Sequence, residues 1–295
     1  MGKIIGTNLT KTYGKQTVLD HVDLTLETGK IYGLIGRNGA GKTTLLSLLT
    51  AQNPATEGTV TIDGEPVWEN EKVLSQICYS REISPVTTFG PNNMKVSDYL
   101  NIAATFFPNW DKTYAKELIS LFDLDVKKKL SKLSKGMLSA VTIVVAMASK
   151  SPITILDEPV AGLDVVAREN FYRLVIDEYA ATNRTFIIST HIIEEAASLF
   201  EDVVILDQGK IFLEENTEEL LSRAFRISGD SEAVDNAVIG KKVYHPEMIG
   251  RNKAVTVLLN KGEEANFSSD LSVEPVNLQN LFYAISVDAE KGVLA

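Results

Sequence analysis

One segment limits the possible folds of this chain more than any other. Residues 36–43 read Gly-Arg-Asn-Gly-Ala-Gly-Lys-Thr and follow an apolar run, Ile31–Ile35. A strand that leads into a glycine-rich turn and then a helix directs backbone N–H groups, and the positive end of the helix dipole, at an anion. Gly36, Gly39 and Gly41 let the backbone curve without Cβ clashes. The pattern predicts a phosphate-binding loop in an α/β fold; the alternative is a glycine-rich turn that binds nothing.

The side chains of this loop suit a nucleotide that carries Mg²⁺. Lys42 can reach the β- and γ-phosphates, and the hydroxyl of Thr43 is placed to ligate the metal ion. Asn38, Ala40 and Thr44 belong to the same loop and helix start. We count these three residues among the expected nucleotide contacts.

Two carboxylates follow a second apolar run, Ile153–Leu156. They are Asp157 and Glu158, and an apolar strand would place them at the carboxyl edge of the sheet, where open α/β sheets bind ligands. There Asp157 would hold Mg²⁺ through water, and Glu158 would orient and deprotonate the attacking water. Alone, such a pair can be a coincidence at a strand end. Behind a complete phosphate loop it predicts nucleotide hydrolysis.

The composition narrows the classes of partner. The net charge of −10 argues against nucleic acid, because a phosphate backbone selects for clustered Lys and Arg. The single cysteine, Cys78, cannot form an internal disulfide, which suits a reducing compartment. The first residues lack the apolar stretch of a signal peptide, and the longest apolar run, Met137–Ala148, is too short to span a bilayer. We expect a soluble chain that binds no nucleic acid.

The order of predicted elements gives an α/β fold with additions. Alternating apolar and polar residues over 3–30 and 58–64 predict antiparallel strands. The periodicity is helical over 96–149, and strands then alternate with helices, the last of them over Ile193–Phe200. After about Ser222, short strand-like pieces are broken by Gly and Pro. The prediction is a phosphate-loop NTPase core with an antiparallel β subdomain, a helical insertion and a small α+β C-terminal domain. The expected bounds are 1–221 for the first domain, about 76–150 for the insertion within it and 222–295 for the second domain.

Three further motifs carry a family resemblance. Leu133–Met137, which reads Leu-Ser-Lys-Gly-Met, resembles the Leu-Ser-Gly-Gly-Gln signature of ATP-binding cassette (ABC) proteins. Ala161–Asp164 resembles the D-loop of that family, and Ser189–His191 resembles its switch-histidine segment. Tyr13 lies where the family places an aromatic side chain against adenine. The motifs occur in the family's order, so the chain resembles an ABC nucleotide-binding domain, and the family's helical insertion accounts for the helical middle of the chain.

The resemblance implies ATP and Mg²⁺ as ligands and ATP hydrolysis as the activity. Two such domains would enclose two ATP molecules head to tail, with Ser134, Lys135 and Gly136 facing the γ-phosphate held by the other chain. His191 would contact the γ-phosphate of its own chain, and Asp164 would couple the two sites across the interface.

Two of these residues have an alternative interpretation. From the sequence alone, His191 could be a core histidine at a strand end, and Tyr13, the expected adenine platform, could simply pack on the sheet.

Three residues depart from the family pattern. Ile77–Glu82 resembles the family's strand that leads into its Q-loop, but Glu82 stands where the family has Gln. We predict that Glu82 still lies in the Mg²⁺ shell. Lys135 replaces the first signature Gly; it either adds a cation at the transferred phosphate or points to solvent. Met137 replaces the signature Gln and is expected to pack hydrophobically. These changes concern the contacts of a closed dimer.

The resemblance favours an ATPase subunit of a transporter. Such a chain would work at the cytoplasmic face of the membrane through separate permease subunits, each inserting a short helix beside Glu82. Ser84–Pro91 is the segment that we place at this groove, although its Pro and Gly content also fits an ordinary surface loop. The signature, Glu82 and the C-terminal domain resemble bacterial exporter cassettes for antimicrobial or toxin peptides.

Two other functions remain possible from the sequence, and the role of two apolar segments in the C-terminal domain is also open. A soluble ABC ATPase acting on ribosomes or nucleic acid is less well supported, since the chain has one cassette, no heptad run and an acidic balance. A regulatory cassette without turnover conflicts with the intact Lys42, Asp157 and Glu158. In the C-terminal domain, the apolar segments Ala254–Leu259 and Leu278–Phe282 form either a dimer contact or the domain's own core.

Overall fold

The structure is a computed structural model that describes residues 2–83 and 94–290 of the chain, with the exception of the side chains of residues 289 and 290. Within these ranges no helix is both long enough and apolar enough to cross a membrane. The chain divides into two compact units, Met1–His191 with Val204–Glu214, and Ile192–Val203 with Glu215–Ala295. The second unit includes residues 215–221, whereas the predicted domain boundary lies after residue 221.

The secondary-structure elements are numbered in chain order. The strands are β1 (Lys3–Tyr13), β2 (Gln16–Glu27), β3 (Ile31–Ile35), β4 (Glu57–Ile62), β5 (Glu65–Pro66), β6 (Ile77–Ser80), β7 (Ile153–Asp157), β8 (Thr185–Thr190), β9 (Asp202–Asp207), β10 (Lys210–Asn216), β11 (Ala224–Asp230), β12 (Lys242–Ile249), β13 (Asn252–Leu258) and β14 (Ser272–Pro275). The helices are α1 (Lys42–Leu49), α2 (Glu71–Leu74), α3 (Val96–Phe106), α4 (Lys112–Leu121), α5 (Lys135–Ala148), α6 (Val165–Thr182), α7 (Ile193–Ala196), α8 (Thr217–Ser222), α9 (Ser231–Ala237) and α10 (Leu278–Glu290). Short 3₁₀ turns occur at Leu130–Lys132 and Ala197–Leu199.

A four-stranded antiparallel sheet forms the start of the chain, in the strand order β2-β1-β4-β5. Gly14, at φ 61°, turns the chain between β1 and β2, where Tyr13 pairs with Gln16. Buried residues such as Leu24 and Leu26 alternate with exposed ones along β2. This period-2 pattern is what the sequence displays, and the predicted antiparallel subdomain is confirmed.

A six-stranded sheet in the order β10-β9-β3-β8-β7-β6 carries the phosphate loop. Strands β3, β8, β7 and β6 are parallel neighbours, so their carboxyl ends meet at one edge. All of β3, β7 and β8 is buried, as is typical of a parallel sheet covered on both faces. Strand β6 lies inside the range predicted for the helical insertion, about 76–150, although it belongs to this sheet. The described helices of that range begin at Val96 with α3.

Helix α5 is the buried centre of the helical part. Its residues from Leu138 to Ala148 are all buried, and it contacts α3, α4, β6 and β7. A helix that is apolar all round must be enclosed by other elements, which explains the long apolar run in the sequence. Toward the end of the predicted α/β alternation, the helix expected over Ile193–Phe200 is shorter. It ends at Ala196 and continues as a 3₁₀ turn to Leu199.

The C-terminal unit contains an antiparallel sheet in the order β12-β13-β11-β14, together with α9 and α10. Its apolar core includes Val255, Val257 and Leu259, which are almost fully buried. The segment Ala254–Leu259 is therefore part of the unit's own core, as one of the two predicted alternatives had it. Leu278 and Leu281 of α10 are buried as well.

A buried cluster of charges lies at the amino end of the parallel strands. The carboxylate of Glu178 accepts hydrogen bonds from Arg184 Nη1 at 3.1 Å and from Lys150 Nζ at 2.7 Å. Arg184 also donates to the hydroxyl of Thr154 at 2.7 Å and to the carbonyl oxygens of Ala146 and Met147. The side chains of Glu178 and Arg184 are each only 4% exposed. The cluster joins the end of α5 and the end of α6 to β7.

The reactivity of Cys78 measures how completely the protein encloses strand β6. It is fully buried on β6, and burial raises the pKa of its thiol to about 11, against weaker opposing effects of Ser149 and Arg184. We expect a maleimide at about pH 8 to leave the native chain unlabelled, because the reactive thiolate is scarce and enclosed, and to label one thiol per chain in denaturant. Mass spectrometry measures both states. Rapid labelling of the native chain would contradict the enclosure of β6.

Candidate active site

The phosphate loop has backbone conformations that suit glycine. Gly39 and Gly41 have φ angles of 84° and 109°, in a region that L side chains rarely adopt. Gly36 has another constraint, because a Cβ at that position would lie 2.5 Å from the carbonyl oxygen of Leu206. The loop leads from β3 into α1, which starts at Lys42. The strand, glycine-rich turn and helix therefore occur in the predicted order.

Lys42 is the buried cation of this loop. Its side chain is 6% exposed, and its ammonium group donates to the carbonyl oxygen of Gly36 at 2.6 Å and lies 3.6 Å from Glu158 Oε1. Among the other predicted contacts, Asn38 and Thr43 are exposed at the surface of the loop, Thr44 is half-buried and Ala40 is buried. Because Thr43 is exposed, a ligand can reach this residue.

Asp157 ends β7 and is held by two neighbouring strands. The hydroxyl of Ser189 on β8 donates to Asp157 Oδ1 at 2.6 Å, and the hydroxyl of Tyr79 on β6 donates to Oδ2 at 3.4 Å. Burial, and secondly the charge of Asp157, raise the pKa of Tyr79, so its hydroxyl keeps its proton and remains a donor. The sequence assigned no role to Tyr79 or to the Ser189 side chain. Their signal is the position of each at the carboxyl end of a strand beside β7.

Glu158 follows at the strand end with its backbone in a strained conformation. Its φ is 51°, and its N–H donates to Ser189 Oγ at 2.9 Å, which holds the turn in place. One carboxylate oxygen faces Lys42, and the other lies 2.6 Å from His191 Nδ1. His191 is 53% exposed, so the interpretation of His191 as a core histidine is wrong. Lys42, Glu158 and His191 therefore form a line of polar groups at the carboxyl edge of the sheet.

The signature-like and D-loop-like segments pack against each other in the same chain. Ser134 caps α5, accepting from Met137 N at 3.2 Å, and Asp164 caps α6, accepting from Ala167 N at 2.8 Å. A Cβ at Gly136 would lie 2.3 Å from the carbonyl oxygen of Gly162, so the two backbones touch directly. Both caps are exposed.

The residues that depart from the family pattern have surroundings that the sequence did not predict. Glu82 and Lys135 form an ion pair, with Glu82 Oε1 3.3 Å from Lys135 Nζ, and the two side chains are 53% and 57% exposed. Lys135 is thus partly in solvent, as one alternative had it, but with an anionic partner that neither alternative included. Met137 is half-buried. The segment Ser84–Pro91, expected at a permease groove, lies outside the described residues.

Tyr13 ends β1 with its side chain 47% exposed, so the sheet does not enclose its ring. The ammonium group of Lys11 lies 5.0 Å from the ring centroid and donates to the carbonyl oxygen of Pro54 at 2.7 Å. This cation–π contact holds one part of the ring in place. An exposed aromatic surface of this kind can stack on a flat heterocycle.

Comparisons with known proteins agree with this arrangement. The family model for ABC transporters matches residues 19–161. The chain is 29% identical over 283 residues to the ABC transporter ATP-binding protein YtrB of Bacillus subtilis, a match that covers 94% of this chain and 95% of the relative. It is 33% identical over 236 residues to the bacitracin transport ATP-binding protein BcrA of Bacillus licheniformis, covering 77% of this chain and 76% of the relative.

A solved structure supports the same fold. It is a dimeric, post-hydrolysis state of an ATP-binding cassette bound to ADP and Pi, and it matches with a TM-score of 0.62 at 22% identity, covering 72% of this chain and 98% of that chain. On the basis of the sequence matches, the chain belongs to the ABC transporter family and is one of its ATP-binding, ATP-hydrolysing subunits.

Proposed function

We propose that this chain uses the carboxyl edge of its parallel sheet to hydrolyse ATP and, as a dimer of cassettes, drives export through a separate membrane permease. The observation that carries the proposal is the position of the Glu158 carboxylate, 3.6 Å from the Lys42 ammonium and 2.6 Å from His191. A carboxylate between a phosphate-binding cation and an exposed imidazole can accept a proton from water beside a γ-phosphate.

Each residue of the proposed site has a part in the reaction. Lys42 and the loop N–H groups bind the β- and γ-phosphates, and Tyr13 stacks on adenine. Glu158 orients the attacking water and takes its proton, while His191 contacts the γ-phosphate. The backbone at Glu158, held by Ser189, fixes where the carboxylate points.

Mg²⁺ is the proposed cofactor, with Thr43, Asp157 and Glu82 as the residues that would hold it. When bound, the ion neutralises charge that develops on the transferred phosphate. Asp157 fits this part, because Ser189 and Tyr79 fix both of its oxygens at the strand end. In the part of the chain that the structure describes, no cluster of three or more His, Cys, Asp or Glu side chains could hold a metal.

The signature-like segment is proposed to act on the nucleotide of a second chain. Ser134, Lys135 and Gly136 lie at the exposed start of α5, where a hydroxyl and a helix N-terminus can bind an anion. Asp164 is proposed to couple the two sites across the interface. The dimeric cassette found by structural similarity supports this assembly.

The transported cargo is proposed to be a peptide, toxin or antimicrobial. The name of the relative BcrA, a bacitracin transport protein, supports this class. Because the cassette does not contact the cargo, its own residues do not select it. The chain would lie at the cytoplasmic face of the membrane, bound to its permease.

The experiment that tests the transporter proposal is an affinity purification of the full chain from detergent extracts of its native cells. Mass spectrometry then identifies the partners. We expect a stoichiometric polytopic membrane protein. Recovery of ribosomes, DNA-associated proteins or soluble partners alone would overturn the transporter assignment while leaving the ATPase site unaffected.

Tyr13→Ala is expected to weaken ATP binding by about 5- to 150-fold, because stacking of a base on an aromatic side chain contributes about 1–3 kcal/mol. Tyr13→Phe is the matched control, since it keeps the ring and should bind ATP as the unchanged chain does. Isothermal titration calorimetry measures both dissociation constants. Equal weakening by the two variants would show that the hydroxyl, not the ring, contacts the nucleotide.

A further inference from the structure

Two of the residues that depart from the family pattern meet in this chain. Glu82 follows β6, and Lys135 is the first residue of α5, more than fifty positions later in the sequence. Their side chains form the ion pair described above, with 3.3 Å between Glu82 Oε1 and Lys135 Nζ. The family's Gln and Gly at these positions could not form an ion pair. The two departures therefore complement each other in charge.

Lys135 has a second contact, made by its stem. A Cβ at Gly162 would lie 2.9 Å from Lys135 Cγ and 3.1 Å from the N atom of Gly136. The aliphatic part of Lys135 therefore lies over the glycine of the D-loop-like segment, while the ammonium group reaches Glu82. One side chain contacts both neighbouring segments at the point where Ser134 caps α5.

We propose that Lys135 is a positioning residue that fixes the start of α5 against the segment after β6 and the turn before α6 within one chain. Its consequence for catalysis rests on the proposed function, in which Ser134 and the start of α5 face the nucleotide of the second chain. Lys135 acts there through Ser134, by holding the helix start in the orientation that the closed dimer needs.

The expected contribution of the Glu82–Lys135 ion pair follows from the exposure of its two side chains. Both side chains are more than half exposed, so the ion pair is one that solvent and salt weaken. Exposed pairs of this kind change local equilibria by about two- to fivefold. At an ionic strength of about 1 M the screening length falls to about 3 Å, and the effect of the pair should disappear.

Amide hydrogen exchange of the nucleotide-free chain tests the contact directly. The N–H groups of Met137 and Leu138 bond to Ser134, so their exchange reports the order of the helix start. We expect K135M to raise their exchange about two- to fivefold, because it removes the charge and keeps the stem. K135A should raise it further, since it also removes the stem over Gly162. Lys132→Met, an equal loss of charge at an exposed position three residues earlier, should change nothing.

The pairing itself is tested by combining changes at Glu82 and Lys135. E82Q should raise exchange as much as K135M, and the double variant E82Q/K135M should add nothing to either one. The reversed pair E82K/K135E should restore most of the protection. Additive effects of E82Q and K135M, or equal exchange in K135M and K132M, would overturn the proposal.

Turnover and binding then test whether Lys135 contacts the nucleotide of its own chain. We expect K135M to lower kcat about two- to fivefold without changing the Kd for ATP of the dilute single chain, and to lose this effect in high salt. A weaker Kd in the single chain would mean that Lys135 binds its own nucleotide, which contradicts the proposal. Exchange needs neither ATP nor turnover, so it tests the contact even if the unchanged chain hydrolysed no ATP and the proposed function failed.

Discussion

Glu158→Gln is expected to lower ATP turnover by about 10²- to 10⁴-fold, the usual contribution of a positioned general base. The amide keeps the shape of the side chain but cannot take a proton from water. ATP binding should persist, because Lys42 and the loop N–H groups are unchanged, and the ATP-bound dimer should accumulate in its closed form. Phosphate release measures turnover, calorimetry measures ATP binding, and size-exclusion chromatography with ATP measures the dimer.

A matched substitution separates this effect from a general loss of charge. Glu194→Gln changes an exposed glutamate at the start of α7, outside the proposed site, and should leave turnover unchanged. Undiminished turnover in Glu158→Gln would mean that another group is the base. Loss of ATP binding in the same variant would instead mean that Glu158 holds the phosphate loop in shape through its contact with Lys42.

Glu178→Gln is expected to destabilise the chain by about 3–5 kcal/mol, the typical result of removing one partner from a buried ion pair. The guanidinium of Arg184 would then lie buried without its counter-charge, and the partly exposed Lys150 would lose its carboxylate partner. Burial already lowers the pKa of Arg184, and the charge of Glu178 opposes that shift, so the carboxylate supports the charged form of the guanidinium. Urea unfolding followed by circular dichroism measures the loss.

The neighbouring residue gives the control for this prediction. Asp177→Asn makes the same chemical change on the exposed side of α6 and should alter stability by less than about 0.5 kcal/mol. Labelling of Cys78 by a maleimide should become faster in Glu178→Gln, because more frequent opening exposes β6. Equal midpoints for the two variants would show that water or another group compensates the charge of Arg184.

The sequence predicted those parts of the fold that depend on local pattern. Alternation along β2 and the glycines of the phosphate loop act within a few residues of one another, so a single chain displays them. The α/β core, the antiparallel subdomain and the C-terminal α+β part were all predicted in this way. The strand that begins at Ile77 shows the limit: the family resemblance, not a local pattern, predicted it, and only its pairing with β7 places it in the sheet.

Side-chain hydrogen bonds and ion pairs between distant segments were not predicted in detail, for a physical reason. The hydrogen bonds of Tyr79 and Ser189 to Asp157 depend on β6 and β8 flanking β7, and strand order cannot be derived from periodicity. The same holds for Glu82 and Lys135, whose charges stood out individually in the sequence but not as a pair. The roles proposed for the individual site residues remain predictions.

The contact between Gly136 and Gly162 has a mechanical consequence. A Cβ at Gly136 would lie 2.3 Å from the carbonyl oxygen of Gly162, so no side chain fits between the two backbones and no rotamer change can absorb a displacement there. We expect the junction to be stiff, so that a shift of the turn before α6 by a fraction of an ångström would move the start of α5 by a similar amount. In the proposed dimer, each chain would then transmit strain from one nucleotide to the other through Gly136 and Gly162. The stiffness of this contact would limit how independently the two ATP molecules can react.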